Sequence, residues 1–95
     1  MPCYVYIMCS QSRNALYVGM SSNLAQRVEQ HRLGTAGSHT ARYRIRRLIW
    51  FEAHDDPGEA LARERRIKRW RRDWKEALIS ASNPDWRDLS IDIPY

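Results

Sequence analysis

The chain has 95 residues, of which 43% are hydrophobic and 28% charged, so it is expected to fold as one domain spanning residues 1–95 around a single modest core. Sixteen Lys and Arg against eleven Asp and Glu leave a net charge of +5 and a pI near 9.7, a balance that points to nucleic acid as partner. No apolar run approaches the roughly 18–20 residues of a membrane span, and Met1–Cys9 has neither the basic start nor the long apolar stretch of a signal peptide, so no membrane association and a cytoplasmic location are expected.

Tyr4–Cys9 is rich in aromatic and β-branched residues and predicts a strand with Tyr4, Tyr6 and Met8 on one face and Val5, Ile7 and Cys9 on the other. Cys3 and Cys9, six residues apart on that strand, would lie roughly 20 Å from each other, too far for a disulfide, and are expected to be reduced and partly buried. Ser10–Asn14 is a polar turn, and Ala15–Val18 is the returning strand, ended by Tyr17 and Gly19, where glycine permits a tight turn or close approach of a ligand.

The helix predicted next runs from Asn23 to Leu33. Asn23 is its N-cap, Gln26 can return a hydrogen bond to the cap, and Gly34 ends it. Leu24 and Val28 form an apolar stripe, with Arg27 and His31 on a neighbouring row. This strand–turn–helix unit brings a tyrosine, an arginine and a histidine together, a set suited to an anionic ligand such as phosphate.

Gly34–Arg47 reads as a basic connection with a short helical turn near Thr40–Arg44, and Leu48–Ala53 as a short third strand. Asp56-Pro57-Gly58-Glu59 opens a helix expected to reach Arg71, and Asp73 with Glu76 suggests a further helix from Trp74 to about Ser80. Asn83-Pro84 breaks it, and a short extended piece at Ser90–Ile93 follows in the tail. The expected fold class is α+β: a small three-stranded antiparallel or mixed sheet flanked by helices, in the order β-β-α-(short α)-β-α-α.

On the longest helix Ala60, Glu64, Ile67 and Arg71 share a face, so Glu64 sits beside the apolar row. A carboxylate there needs a cation, either an arginine on the rim or a hard divalent metal such as Mg²⁺, which one carboxylate can hold with water and substrate phosphate. Eight of the sixteen cations fall between Arg63 and Lys75, more than Asp73 and Glu76 can neutralise. Part of this set, with Arg42, Arg44, Arg46 and Arg47, is expected to contact phosphate. Trp70, Trp74 and Trp86 are expected in the core rather than stacked on bases.

Tyr4-Val5-Tyr6 followed by Tyr17-Val18-Gly19, with Arg27 and then Glu64 in A-R-E-R-R-I-K, resembles the paired signature, helix arginine and glutamate of the GIY-YIG nucleases. The first glycine of the signature is replaced by Tyr4. The K-R-W-R-R-D-W-K and N-P-D-W-R-D-L segments make the likeness strongest to the small stand-alone bacterial (YhbQ-type) branch. The resemblance implies a divalent-metal-dependent endonuclease that hydrolyses DNA, with DNA favoured over RNA and a structure-specific role in repair or recombination. It implies Mg²⁺ or Mn²⁺ on Glu64, with Tyr6, Tyr17, Arg27, His31 and Glu64 as catalytic residues. Tyr6 would be the base, Tyr17 would position the phosphate and Arg27 would neutralise phosphoryl charge. Gly19, His39, Arg42, Arg65, Lys68, Arg69 and Arg72 are the candidates for holding substrate. Asn83 is the only asparagine downstream of Glu64 in the place where the family often has one, although its Asn-Pro turn explains it as well. The competing reading is a nucleic-acid-binding module on the same scaffold with little or no turnover. A protein- or ribosome-associated adaptor needs only the charge. With no separate DNA-binding domain in the sequence, specificity is expected from DNA shape, dimerisation or a partner protein.

Overall fold

Why β1 became the axis of the molecule is visible in its composition: Cys3–Ser10 has no charged residue, and all eight positions are buried. The computed structural model describes residues 2–37 and 41–94. β1 is flanked on one side by β2 (Leu16–Ser21) and on the other by β3 (Ile45–His54), giving a wholly antiparallel sheet in the order β2-β1-β3. Helix α1 (Leu24–Leu33) lies between β2 and β3 in sequence, and α2 (Pro57–Arg69) and α3 (Arg72–Ser82) follow β3. Residues 41–42 are helical; the rest of the helical turn expected near Thr40 begins outside the described residues.

The alternation expected for β1 divides the core in two. Tyr4, Tyr6 and Met8 pack with Leu24 and Val28 of α1 and with Ile93 of the tail. Val5, Ile7 and Cys9 pack with Ala60 and Ile67 of α2, Ile79 of α3 and Trp86. Both cysteines are free, and both are fully buried rather than partly so.

Both outer strands run further than their composition suggests. β2 continues through Gly19 to Ser21, because Val5 and Tyr4 of β1 still offer ladder partners to Met20 and Ser21. β3 starts at Ile45 rather than Leu48, and its register against β1 shifts twice, between Ile7 and Met8 and between Cys9 and Ser10. The first shift leaves Ile49 without a partner on β1, and this lets Ile49 and Trp50, consecutive residues, both join the α2 side of the core.

Asn83 repairs that irregularity. Its side chain is buried; Nδ2 donates to the Ile49 carbonyl at 3.0 Å and to the Arg87 carbonyl at 2.9 Å, while Oδ1 accepts from the Arg87 amide at 3.1 Å. Asn83 is therefore a clamp between α3, the tail and β3, with its amide fully engaged. The Leu89 amide donates to the Leu48 carbonyl at 2.7 Å, so the tail also covers part of the free edge of β3. The piece expected to be extended at Ser90–Ile93 is instead a 3₁₀ turn over Ser90–Asp92.

Helix ends follow local chemistry where a cap is present. Asn23 accepts from the Gln26 amide at 3.2 Å, and Gly34, with φ of 76°, closes α1 through bonds to Gln30 and His31. The Asn23 amide donates to Ser21 Oγ at 3.0 Å rather than to the Gln26 side chain. Asp56 caps α2 through the Gly58 amide at 3.0 Å. The α2–α3 boundary departs from expectation: α2 stops at Arg69, Trp70 is extended, and α3 begins at Arg72 with Asp73 inside its first turn.

Candidate active site

Tyr6 starts on the central strand and reaches over the edge strand. Gly19 is its directly opposed partner, and a Cβ placed on Gly19 would lie 2.6 Å from the Tyr6 hydroxyl, 2.7 Å from Tyr6 Cζ and 2.9 Å from Tyr17 Cε1. Gly19 thus belongs in the strand, and its missing side chain makes room for two phenol rings. The tight turn expected there is not formed, since β2 runs on through Gly19.

His31 completes the ring cluster from α1. It shares its i,i+4 row with Arg27, as expected, but turns inward beside Leu24 and Val28 and is only 1% exposed. Its Nε2 lies 3.2 Å from Tyr6 Oη, and its ring centre is 5.0 Å from that of Tyr17 and 5.9 Å from that of Tyr6. Burial, then the charge of Arg27, push His31 down to about 4, so the ring is neutral at physiological pH. Nδ1 is buried with no partner among the described residues. A bare buried acceptor costs less than a bare buried N–H, so the proton is assigned to Nε2, which donates to Tyr6 Oη. The Tyr6 hydroxyl is then free to donate its own proton to another group.

Arg27 stands beside both phenols. Its pKa is raised, first by its interaction with Tyr6 and then, after a smaller opposing effect of burial, by Tyr17. Nη1 donates to Gln30 Oε1 at 3.0 Å and Nη2 faces the Ala36 carbonyl at 3.5 Å, so Gln30 steers the guanidinium. Gln30 was not singled out from sequence, although its i+3 spacing from Arg27 was a usable signal. Tyr6 itself is raised to about 12: burial dominates, Arg27 lowers it, and Tyr17 and Glu64 raise it again. The phenol is therefore neutral at physiological pH in this state, with Arg27 alone beside it.

Glu64 comes from α2 and lies within electrostatic reach of Tyr6. Its side chain is 14% exposed and is paired with Lys68 Nζ at 3.5 Å, one helical turn away. The described residues contain no group of three or more His, Cys, Asp or Glu able to cage a metal. Glu64 is instead a single hard oxygen donor, which fits the way Mg²⁺ is held by one or two carboxylates with water and phosphate completing the shell.

The other expected substrate contacts divide. Arg65 and Arg69 are exposed with no ion-pair partner among the described residues, and Lys68 is shared with Glu64. Arg42 is exposed and lies 5.7 Å over the Tyr43 ring. Arg72 is structural: it pairs with Glu76 at 2.8 Å and donates to the carbonyls of Arg13 and Asn14, tying the β1–β2 turn to α3. His39 lies outside the described residues. Of the three tryptophans placed in the core, Trp86 is buried and Trp70 partly so, but Trp74 is 51% exposed.

Burial of a neutral histidine makes stability pH-dependent. Above pH 6.5 His31 is neutral in both folded and unfolded chains. Between 6.5 and about 4 the unfolded chain binds the extra proton, so stability falls as pH falls through that window. Urea unfolding at about pH 7.5 and about pH 5 should show a loss of about 2 kcal/mol assignable to this group. His31→Gln should remove that increment; an equal pH slope in the variant would assign the effect to other groups.

A tyrosine pair across two antiparallel strands, an arginine on the following helix and a glutamate on a later one are the residues, in order, that carry the likeness to the GIY-YIG domain. The sequence profile of the GIY-YIG catalytic domain matches residues 2–77, and the chain belongs to that nuclease family. Within it, the relatives are small proteins of the UPF0213 group. The chain is 34% identical over 80 residues to UPF0213 protein CPE1444 of Clostridium perfringens, covering 84% of this chain and 85% of that one. It is 36% identical over 76 residues to UPF0213 protein HQ_3675A of Haloquadratum walsbyi, covering 79% and 83%. The solution NMR structure of UPF0213 protein BH0048 from Bacillus halodurans superposes with a TM-score of 0.60 over 94% of both chains at 26% identity.

Proposed function

We propose that this chain is a divalent-metal-dependent endonuclease that hydrolyses DNA phosphodiester bonds, with structured DNA of the kind met in repair or recombination as its substrate. The observation that carries the reading is the Tyr6–His31–Tyr17–Arg27 cluster over the edge strand, with Glu64 in electrostatic reach of Tyr6. Arg27, held by Gln30, binds the non-bridging phosphate oxygens and neutralises the charge that grows on them. Tyr17 positions the phosphate. His31, donating from Nε2, holds the Tyr6 oxygen in place and leaves the phenol aimed at the attacking water. Glu64 would hold Mg²⁺ or Mn²⁺, whose charge would stabilise the leaving oxygen and offset the carboxylate's small upward pull on the Tyr6 pKa. Tyr6 would serve as base only where that charge also outweighs burial, the largest cause of its raised pKa; at about 12 it orients the water without accepting its proton.

The exposed Arg42, Arg65 and Arg69, with Lys68 beside Glu64, extend phosphate contact along the duplex, DNA being preferred to RNA. Substrate choice then rests on DNA shape, self-association or a partner protein. A cytoplasmic site of action is supported by the two free cysteines and by the absence, among the described residues, of any helix long and apolar enough to cross a membrane.

The high pKa of Tyr6 favours one rival, a binding module with weak turnover. Labelled single strand, duplex, flap, fork and four-way junction, incubated with the protein in Mg²⁺, in Mn²⁺ and in EDTA, separate the two. Cleavage abolished by EDTA and restored by either metal is expected. Binding of the same DNAs with no metal-dependent product would establish the module instead.

A further inference from the structure

The outer face of α2 carries a second feature that the hydrolytic cluster does not use. A groove of about 510 Å³ runs between α2 and α3, lined by Ala62, Arg65, Arg66, Arg69, Trp70 and Trp74. Its floor is aromatic: Trp70 and Trp74 meet edge to face with ring centres 6.2 Å apart. Trp74 is half exposed, although it is the largest kind of apolar side chain, and Arg71 lies over its ring at 5.0 Å. The walls are cationic. Lys68, Arg71 and Arg72 have carboxylates, whereas Arg65, Arg66 and Arg69 have none among the described residues.

Position on the helix links this groove to Glu64. At about 100° per residue, Lys68, Arg65 and Arg69 follow Glu64 in order around α2, so a continuous cationic path leads from the carboxylate to the indoles. The groove residues Arg65, Arg69, Ala62 and Arg66 lie about 100–200° around α2 from Glu64, so a strand held there wraps the helix to reach the carboxylate. A half-exposed indole, flanked by guanidinium groups with no carboxylate among the described residues, is the combination that holds single strands: bases stack on the ring while the arginines follow the phosphates. A protein segment would need carboxylates to match three arginines.

We propose that the α2–α3 groove is a subsite for an unpaired DNA segment, with Trp74 stacking on a base and Arg65 and Arg69 holding the backbone that leads around α2 toward Glu64. The assignment rests on the nuclease reading only for where that strand leads; binding is measured without turnover. It also makes unpaired flanks, as in flaps and forks, the preferred substrates.

The test is fluorescence anisotropy of a labelled twelve-nucleotide oligothymidine and of a duplex of equal length, both in EDTA, with wild type, Trp74→Ala, Trp74→Phe and Arg65→Gln/Arg69→Gln. Trp74→Ala should weaken single-strand binding on the order of 10-fold with the salt dependence unchanged, and should leave duplex binding as it was. Trp74→Phe should keep most of the affinity, which guards against a folding defect in the alanine variant. The double arginine variant should reduce the salt slope by about one to two. Single-strand affinity unaltered in Trp74→Ala, or lost equally for duplex, overturns the proposal. So does a wild-type dimer that Trp74→Ala converts to monomer, because the groove would then take a second copy of the chain. Should the single-strand effect appear without any metal-dependent cleavage, the subsite stands and the nuclease reading falls.

Discussion

Glu64→Ala is expected to lower metal-dependent cleavage on the order of 10²–10³-fold while leaving the fold intact. The carboxylate is 14% exposed and its one ion pair is to Lys68, which is itself half exposed, so its structural contribution is that of a weak i,i+4 pair, about 0.3–0.5 kcal/mol. Alanine is the better helix former and has no partly buried charge to solvate, so the two effects oppose each other. Urea unfolding should therefore differ from wild type by no more than about 0.5 kcal/mol. Wild-type cleavage by the variant, measured on whichever DNA the native protein cuts best, would remove Glu64 from the site.

Gly19→Ala should damage the same site by another route. The new Cβ would stand under 3.0 Å from the Tyr6 hydroxyl oxygen and from one ring atom each of Tyr6 and Tyr17. Neither ring can retreat easily: Tyr6 is wholly buried against His31, and Tyr17 lies 5.0 Å from that imidazole. Overpacking of this kind costs about 1–3 kcal/mol. A displacement of about 1 Å in the Tyr6 hydroxyl lowers cleavage on the order of 10²-fold. Gly58→Ala is the control, since its new Cβ would meet only Asp56 Oδ1, at 3.4 Å, on an exposed helix start. Thermal melting and cleavage of both variants decide the matter. A fully active Gly19→Ala would mean that the two rings are mobile and that the ring cluster is not the positioning device described above.

Much of this protein was legible in its residues. The alternation of β1, the apolar pair Leu24 and Val28, the Asn23 and Asp56 caps and the Gly34 terminator all act within a few residues of themselves. Periodicity and cap chemistry report them directly. The position of Glu64 beside Ala60 and Ile67 is equally local, being a matter of helical spacing. These features, with the two tyrosine signatures, sufficed for the α+β class and the family.

What tertiary structure alone decided depends on partners distant in the chain. The β2 and β3 ends are set by where β1 still offers ladder partners, and the bulge at Ile49 by which core its side chain joins. The α2 helix ends at Trp70, with no proline or glycine to stop it, where that indole turns toward the core. Arg72, placed by its charge among the phosphate contacts, is claimed by the carbonyls of Arg13 and Asn14, some sixty positions earlier. Trp74, by its hydrophobicity a core residue, is left half in solvent because α3 is amphipathic about Ile79 and Leu78. The Tyr6–His31 contact spans 25 positions, and its effect on both groups comes from burial. Desolvation belongs to the folded environment rather than to the residue: the chain alone named the tyrosine and the histidine, and only packing raised the one to about 12 and lowered the other to about 4.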